Sequence, residues 1–200
     1  MKKIKIKAII FDLGGVVVHG GYLNFIKHYC KACLTPLGQR RLARLEREVN
    51  LGEISETQFY REIQKIFGVK MKPAKMHDLI VRKMRTDRGL AHLIPHLKKA
   101  KVVMFTNSIG HMAQEVLDRR RLNHHKFFDK VFDSSDLHIA KPDAGAYRFV
   151  LHKLGIKPHE AIMVDDRALN IRGAKRVGMH GIVYKNSRQF RTALRKYELV

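Results

Sequence analysis

Apolar residues in this chain run in short unbroken stretches that stop at polar ones. Ile9-Ile10-Phe11 ends at Asp12, Val102-Val103-Met104-Phe105 ends at Thr106-Asn107, and Ile162-Met163-Val164 ends at Asp165-Asp166. Runs this short, without alternation, read as strands buried on both faces. Core strands are predicted near Ile6 to Asp12, Lys101 to Asn107, Lys130 to Phe132, Ala161 to Asp165 and Gly181 to Tyr184. Helical patterns alternate with them. The expected architecture is therefore a parallel sheet with helices on both faces and its polar strand ends gathered at one edge.

The stretch after Val16-Val17-Val18 reads differently. Gly20-Gly21 permits a turn, and Tyr22 to Leu34, Pro36 to Asn50, Ser55 to Phe67 and Pro73 to Arg85 then carry apolar residues at helical spacing. Ser55 and Gln58 stand three apart, as a reciprocal capping pair requires. Pro36 and Pro73 suit first-turn positions, where the missing N–H costs nothing. This divides the chain into an α/β core over residues 1–16 and 89–200 and a helical insertion over 17–88.

Two hundred residues at 45% hydrophobic content can bury one substantial core. The start is basic, but Asp12 interrupts its apolar continuation too soon for a signal-peptide core, and no stretch approaches a membrane-spanning length. A cytoplasmic, soluble protein with no membrane partner is expected. Cys30 and Cys33 have Cys-x-x-Cys spacing, but a zinc site needs about four ligands and no second pair exists. They are expected to be reduced residues of a helix in the insertion.

Forty Lys and Arg against 18 Asp and Glu give a net charge of +22. Successive fifty-residue quarters hold 10, 11, 8 and 11 of the basic residues, so no basic tail exists. Such a field attracts anions, including phosphorylated substrates, and permits non-specific binding of polyanions or nucleic acid. Zinc-finger spacing, an aromatic RNA-binding motif and Trp are all absent, which argues against sequence-specific recognition.

Against this basic background, Asp165 and Asp166 are two of four acidic residues after position 150. Together with Asp12, the hydroxyl of Thr106 and Lys141 before Pro142, they could form a magnesium-dependent phosphoryl-transfer site. These motifs, in this order and at strand ends, resemble the haloacid dehalogenase superfamily, in particular its phosphatase-like branch with a helical cap after the first motif. The resemblance implies a Rossmann-like five-stranded parallel sheet with the first strand central, and a cap that covers the site and selects substrates. It implies Asp12 as nucleophile, attacking phosphorus to give an aspartyl phosphate. It further implies that Thr106 and Asn107 hold the transferring group and that Lys141 neutralises charge. Mg2+ would be held by Asp12, the Gly14 carbonyl and Asp166, with Asp165 supporting and Asn170 ordering the loop.

One position departs from the pattern. Most phosphatases of this kind have a second Asp two residues after the nucleophile, and Gly14 stands there instead. Loss of general acid–base help commonly costs about 10²- to 10⁴-fold. His19, where the chain leaves the first motif, and His138, just before Ile139-Ala140-Lys141, are the candidates to approach the leaving group instead. The expected activity is a magnesium-dependent phosphatase or phosphotransferase acting on a small phosphorylated metabolite. The alternatives are a catalytically weak or inactive phosphate- or RNA-binding protein and a haloacid dehalogenase, since dehalogenases also lack the second Asp.

Overall fold

The structure, a computed structural model, describes residues 5–97, 99–122 and 127–200. The basic start, Met1 to Ile4, lies outside the described residues.

Five parallel strands form the main sheet: β1 (Ala8–Phe11), β4 (Lys101–Thr106), β5 (Lys130–Asp133), β6 (Ala161–Asp165) and β7 (His180–Val183), in the order β5-β4-β1-β6-β7. The first strand is central, as expected. Its side chains alternate between two layers. Ile9 and Phe11 pack with Phe190 and Leu194 of α10 (Ser187–Arg195) and with Leu90 and Leu93 of α5 (Arg88–Leu93). Ala8 and Ile10 pack with Tyr147 and Val150 of α8 (Ala144–Leu154) and with Ile171 and Ala174 of α9 (Ala168–Arg176). Both faces are thus covered, which is why the strands read as unbroken apolar runs.

Between β1 and β4 the chain makes four longer helices: α1 (Tyr22–Tyr29), α2 (Pro36–Asn50), α3 (Glu56–Phe67) and α4 (Pro73–Lys83). The reciprocal cap opens α3 as predicted: Gln58 N donates to Ser55 Oγ at 3.2 Å, and Ser55 N donates to Gln58 Oε1 at 2.7 Å. Pro36 and Pro73 each sit in the first turn. Phe25, Phe59, Tyr60, Ile63, Met76 and Ile80 bury themselves between these helices in a cluster continuous with one face of the sheet. Contacts with the rest of the chain are also polar. Arg120 donates to the last carbonyls of α4, Val81 O at 2.9 Å and Arg82 O at 2.8 Å, and Arg47 reaches Asp143 at 3.1 Å. His77 of α4 stands between Glu56 of α3 and Glu115 of α6 (Met112–Arg119), and these carboxylates raise its pKa to about 9 against the opposing effect of burial.

Three expectations need correction. The first helix does not run to Leu34. It ends at Tyr29, and a 3₁₀ turn, Lys31–Leu34, follows. Cys30 and Cys33 are not reduced but joined in a disulfide, with Cα atoms 5.3 Å apart. The backbone leaves helical geometry at Cys30 (φ −128°, ψ 61°) and tightens into the 3₁₀ turn, which brings the two sulfurs together. Finally, α4 stops at Lys83, and Met84–Thr86 forms a strand, β3, antiparallel to β2 (Val18–Gly20). Gly21 turns the chain from this ribbon into α1 with φ 61°, where a Cβ would overlap the Met84 side chain. The ribbon escaped sequence reading because three-residue strands carry no measurable periodicity.

Candidate active site

Register sets the site. Phe11 pairs with Met104 on one side and Val164 on the other, so Asp12 and Asp165 leave the sheet level with each other, and Thr106, two residues past Met104, ends β4 at the same carboxyl edge. Asp12 N donates to Val164 O at 2.9 Å, which continues the ladder one residue and fixes where the carboxylate leaves the sheet.

At this edge one ammonium serves two carboxylates. Lys141 Nζ lies 2.9 Å from Asp12 Oδ1 and 2.7 Å from Asp165 Oδ2, and neither the Lys141 nor the Asp165 side chain has any exposure. Burial works against the Lys141 charge, but Asp12 and Asp165 outweigh it and hold its pKa above the ordinary value. Burial pushes the Asp12 carboxyl up to about 7; Asp165 and Asp166 reinforce the shift and Lys141 opposes it. Asp12 Oδ1 also accepts from Leu13 N at 2.8 Å. With both donors on Oδ1, Oδ2 is the oxygen left for chemistry.

Asp165 is spent on architecture. Its oxygens accept from Lys141, from Arg167 N at 2.9 Å and from Asn170 Nδ2 at 3.0 Å, so Asn170 orders this loop as expected. Tyr147 Oη in turn donates to Asn170 O at 2.7 Å. Asp166 makes no such set of bonds. Its pKa is raised by burial first and then by Asp165. Oxygens of Asp12, Asp165 and Asp166 lie within 4.8 Å of one another. Three clustered carboxylates, two of them bonded to Lys141, offer hard oxygen donors of the kind that could hold Mg2+.

Gly14 and Gly15 shape the approach. A Cβ on Gly14 would meet nothing within 4 Å, so the missing second carboxyl leaves open space and no packing conflict. Gly15 differs: its φ is 79°, and a Cβ there would overlap Asp166 Oδ2 and Cγ. Gly15→Ala is expected to displace Asp166 with Asp12 left in place, and whatever Mg2+ affinity titration calorimetry measures for the parent should fall about 10- to 100-fold.

Thr106 is buried, and its hydroxyl makes only a 3.4 Å contact to Asn107 O. The Asn107 side chain has another task. It donates to Lys141 O at 2.8 Å and accepts from Lys141 N at 3.0 Å, which clamps the lysine backbone from both sides. Neither histidine candidate turns to Asp12. His19 Nε2 lies 3.0 Å from Asp87 Oδ2 in the ribbon region, and His138 Nδ1 lies 2.8 Å from Leu51 O.

Sequence reading missed the supporting partners. Tyr147, Arg167 and the Asn107 clamp act through contacts 2 to 34 residues away in sequence, and no local pattern announces them. On the insertion side, Tyr22 Oη donates to Glu46 Oε1 at 2.8 Å, and the Arg167 charge acts on both residues. Glu46 is held above its ordinary value mainly by burial.

Comparison with known proteins gives a consistent picture. The family profile described as haloacid dehalogenase-like hydrolase matches residues 6–178. Glyceraldehyde 3-phosphate phosphatase of Methanopyrus kandleri is 26% identical over 87% of this chain and 82% of its own. A phosphorylated carbohydrates phosphatase of Thermotoga maritima is 23% identical over 89% and 86%. Among solved structures, an enzyme from Bacteroides thetaiotaomicron in complex with magnesium and inorganic phosphate superposes with a TM-score of 0.72 at 20% identity, covering 90% of this chain and 95% of that one.

Proposed function

The chain belongs to the haloacid dehalogenase-like hydrolases, and from that premise we propose that it is a magnesium-dependent phosphatase or phosphotransferase acting on a small phosphorylated metabolite through Asp12. The observation that carries this reading is the buried Asp12–Lys141–Asp165 arrangement, with Asp166 beside it, at the edge where the strands end. The phosphatase relatives support the reaction class.

In this reading the free oxygen of Asp12 attacks phosphorus, a P–O bond to Asp12 forms, and the bond to the leaving oxygen breaks. Thr106 donates its hydroxyl to a phosphoryl oxygen. Lys141 holds the nucleophile in line and offsets negative charge, and the Asn107 clamp fixes Lys141. Water then attacks the aspartyl phosphate and releases inorganic phosphate, restoring Asp12; another acceptor hydroxyl in its place would give phosphotransfer. Asp12 and Asp166, with the Gly14 carbonyl and with Asp165 behind them, would hold Mg2+. When bound, the ion would neutralise phosphate charge and orient the group for transfer. We read the helices α1 to α4 as the cap, with Tyr22 and Glu46 on its site-facing side.

Gly14 decides the substrate preference. With no carboxyl to protonate the leaving oxygen, aryl phosphates are expected to turn over and alkyl phosphates to lag by about 10²- to 10⁴-fold. Phosphate release from both, with Mg2+ and with chelator, checks this. Since the space beside Gly14 is open, Gly14→Asp is expected to narrow the aryl-to-alkyl gap by at least about tenfold without loss of fold. No magnesium-dependent release from a broad phosphorylated panel would favour the phosphate-binding reading. Halide release from haloacids without magnesium would favour the dehalogenase.

A further inference from the structure

Large apolar side chains left exposed are few among the described residues, and three of them fall within one short stretch of the chain. Tyr29, Leu34 and Leu37 are 39%, 46% and 60% exposed. They occupy the corner where α1 passes through the 3₁₀ turn into α2. Residues 27–41 are all exposed except Cys30, Cys33 and Gly38, so the corner projects into solvent. The disulfide closes it, and Gly38 lets α2 sit against the Ala32 carbonyl, where a Cβ would clash. The apolar tip is therefore held out on a short, cross-linked support.

Its charge is one-sided. Residues 13–45 contain no Asp or Glu, while Lys27, Lys31, Arg40 and Arg41 are exposed around the tip. Carboxylate partners begin only farther along α2, where Arg44 takes Glu48 and Arg47 takes Asp143.

We propose that this corner docks on the surface of an anionic lipid bilayer. The three apolar side chains would enter the boundary between headgroups and acyl chains, and the cationic groups would reach lipid phosphates on long stems. Two competing occupants fit less well. Nucleic acid would use the cations but not the exposed leucines. A second copy related by a two-fold axis would set this cationic corner against itself. Among the described residues no helix is long and apolar enough to cross a membrane, so the contact is peripheral. The proposal goes beyond the sequence expectation of no membrane partner, which weighed a signal-peptide core and spanning segments. The inference does not depend on the phosphatase reading.

Co-sedimentation of the full chain with phosphatidylcholine vesicles, with and without phosphatidylglycerol, tests it. Binding is expected only with phosphatidylglycerol and should fall as salt rises. Leu34→Ser with Leu37→Ser is expected to weaken binding at least about tenfold. Leu169→Ser, at an exposed leucine on α9, should leave it unchanged. Because the chain has no Trp, Tyr29→Trp supplies a single reporter whose emission should shift to the blue on the anionic vesicles. Vesicle binding untouched by the leucine substitutions, with no blue shift, would overturn the proposal in favour of diffuse charge attraction. So would self-association, or binding to single-stranded RNA without any to vesicles, that the same substitutions abolish. Circular dichroism melts matching the parent keep either result interpretable.

Discussion

Asp12→Asn is expected to remove phosphate release by about 10⁴-fold or more, equivalent to about 5.5 kcal/mol of barrier, while leaving the fold intact. The substitution keeps the shape and both hydrogen-bonding positions but takes away the nucleophilic charge. It also changes the charge balance of the site. Lys141 now serves two buried carboxylates, and after the substitution it would serve Asp165 alone, at 2.7 Å. The variant should therefore unfold at no lower denaturant concentration than the parent when both are held in chelator. Inactivity combined with undiminished stability would separate a chemical role from a structural one. An Asp12→Asn protein that still released phosphate at the parent rate would sink the nucleophile assignment.

Lys141→Met is expected to be inactive as well, but with the opposite effect on stability. Methionine fills similar volume and leaves Asp12 and Asp165 facing each other, buried, with no cation between them. Removal of one partner from a buried ion pair typically costs about 3–5 kcal/mol, because the remaining charge is uncompensated. Urea unfolding at neutral pH in chelator measures the loss. The two substitutions should also couple. In the double variant only Asp165 lacks a cation, and it keeps its bonds from Asn170 and Arg167 N. The double variant should be more stable than Lys141→Met alone, and the full cycle of parent, both single variants and the double variant gives the interaction energy. A Lys141→Met protein as stable as the parent would show that the lysine is not balancing buried charge.

Much of the core could be read from the chain because its strands are buried on both sides. Ile162-Met163-Val164 has no polar interruption, and its ends come out at Ala161 and Asp165 as expected. The same logic placed Asp12, Thr106 and Asp165 at one edge, since parallel strands in register deliver their last residues together. The insertion was legible where a local chemical rule applied, as with Ser55 and Gln58, and illegible where tertiary pairing decided. Met84–Thr86 continues an apparent helix in sequence but pairs with Val18–Gly20 across 64 to 68 positions. The Cys30–Cys33 bond followed from a change of backbone angle at one residue, which apolar spacing does not encode. Likewise, the side-chain clamp that Asn107 places on Lys141 spans 34 positions and has no local signal in the sequence.

The β2–β3 ribbon has a consequence for how such a protein can change. Gly20 and Met84 are register partners, so the chain leaves for the four helices and returns from them at the same rung. From the standpoint of the sheet, everything between those residues is a closed loop whose length is immaterial. Closure entropy grows only with the logarithm of loop length. Helices could be gained, lost or exchanged above that rung while the pairing below stayed as it is. The side-chain ties from Arg120 and His77 would have to be rebuilt with each exchange, but the carboxylates of the strand ends would not move. On the proposed reading of these helices as a substrate-selecting cap, selectivity and chemistry could then be inherited separately, one above the rung and the other beneath it.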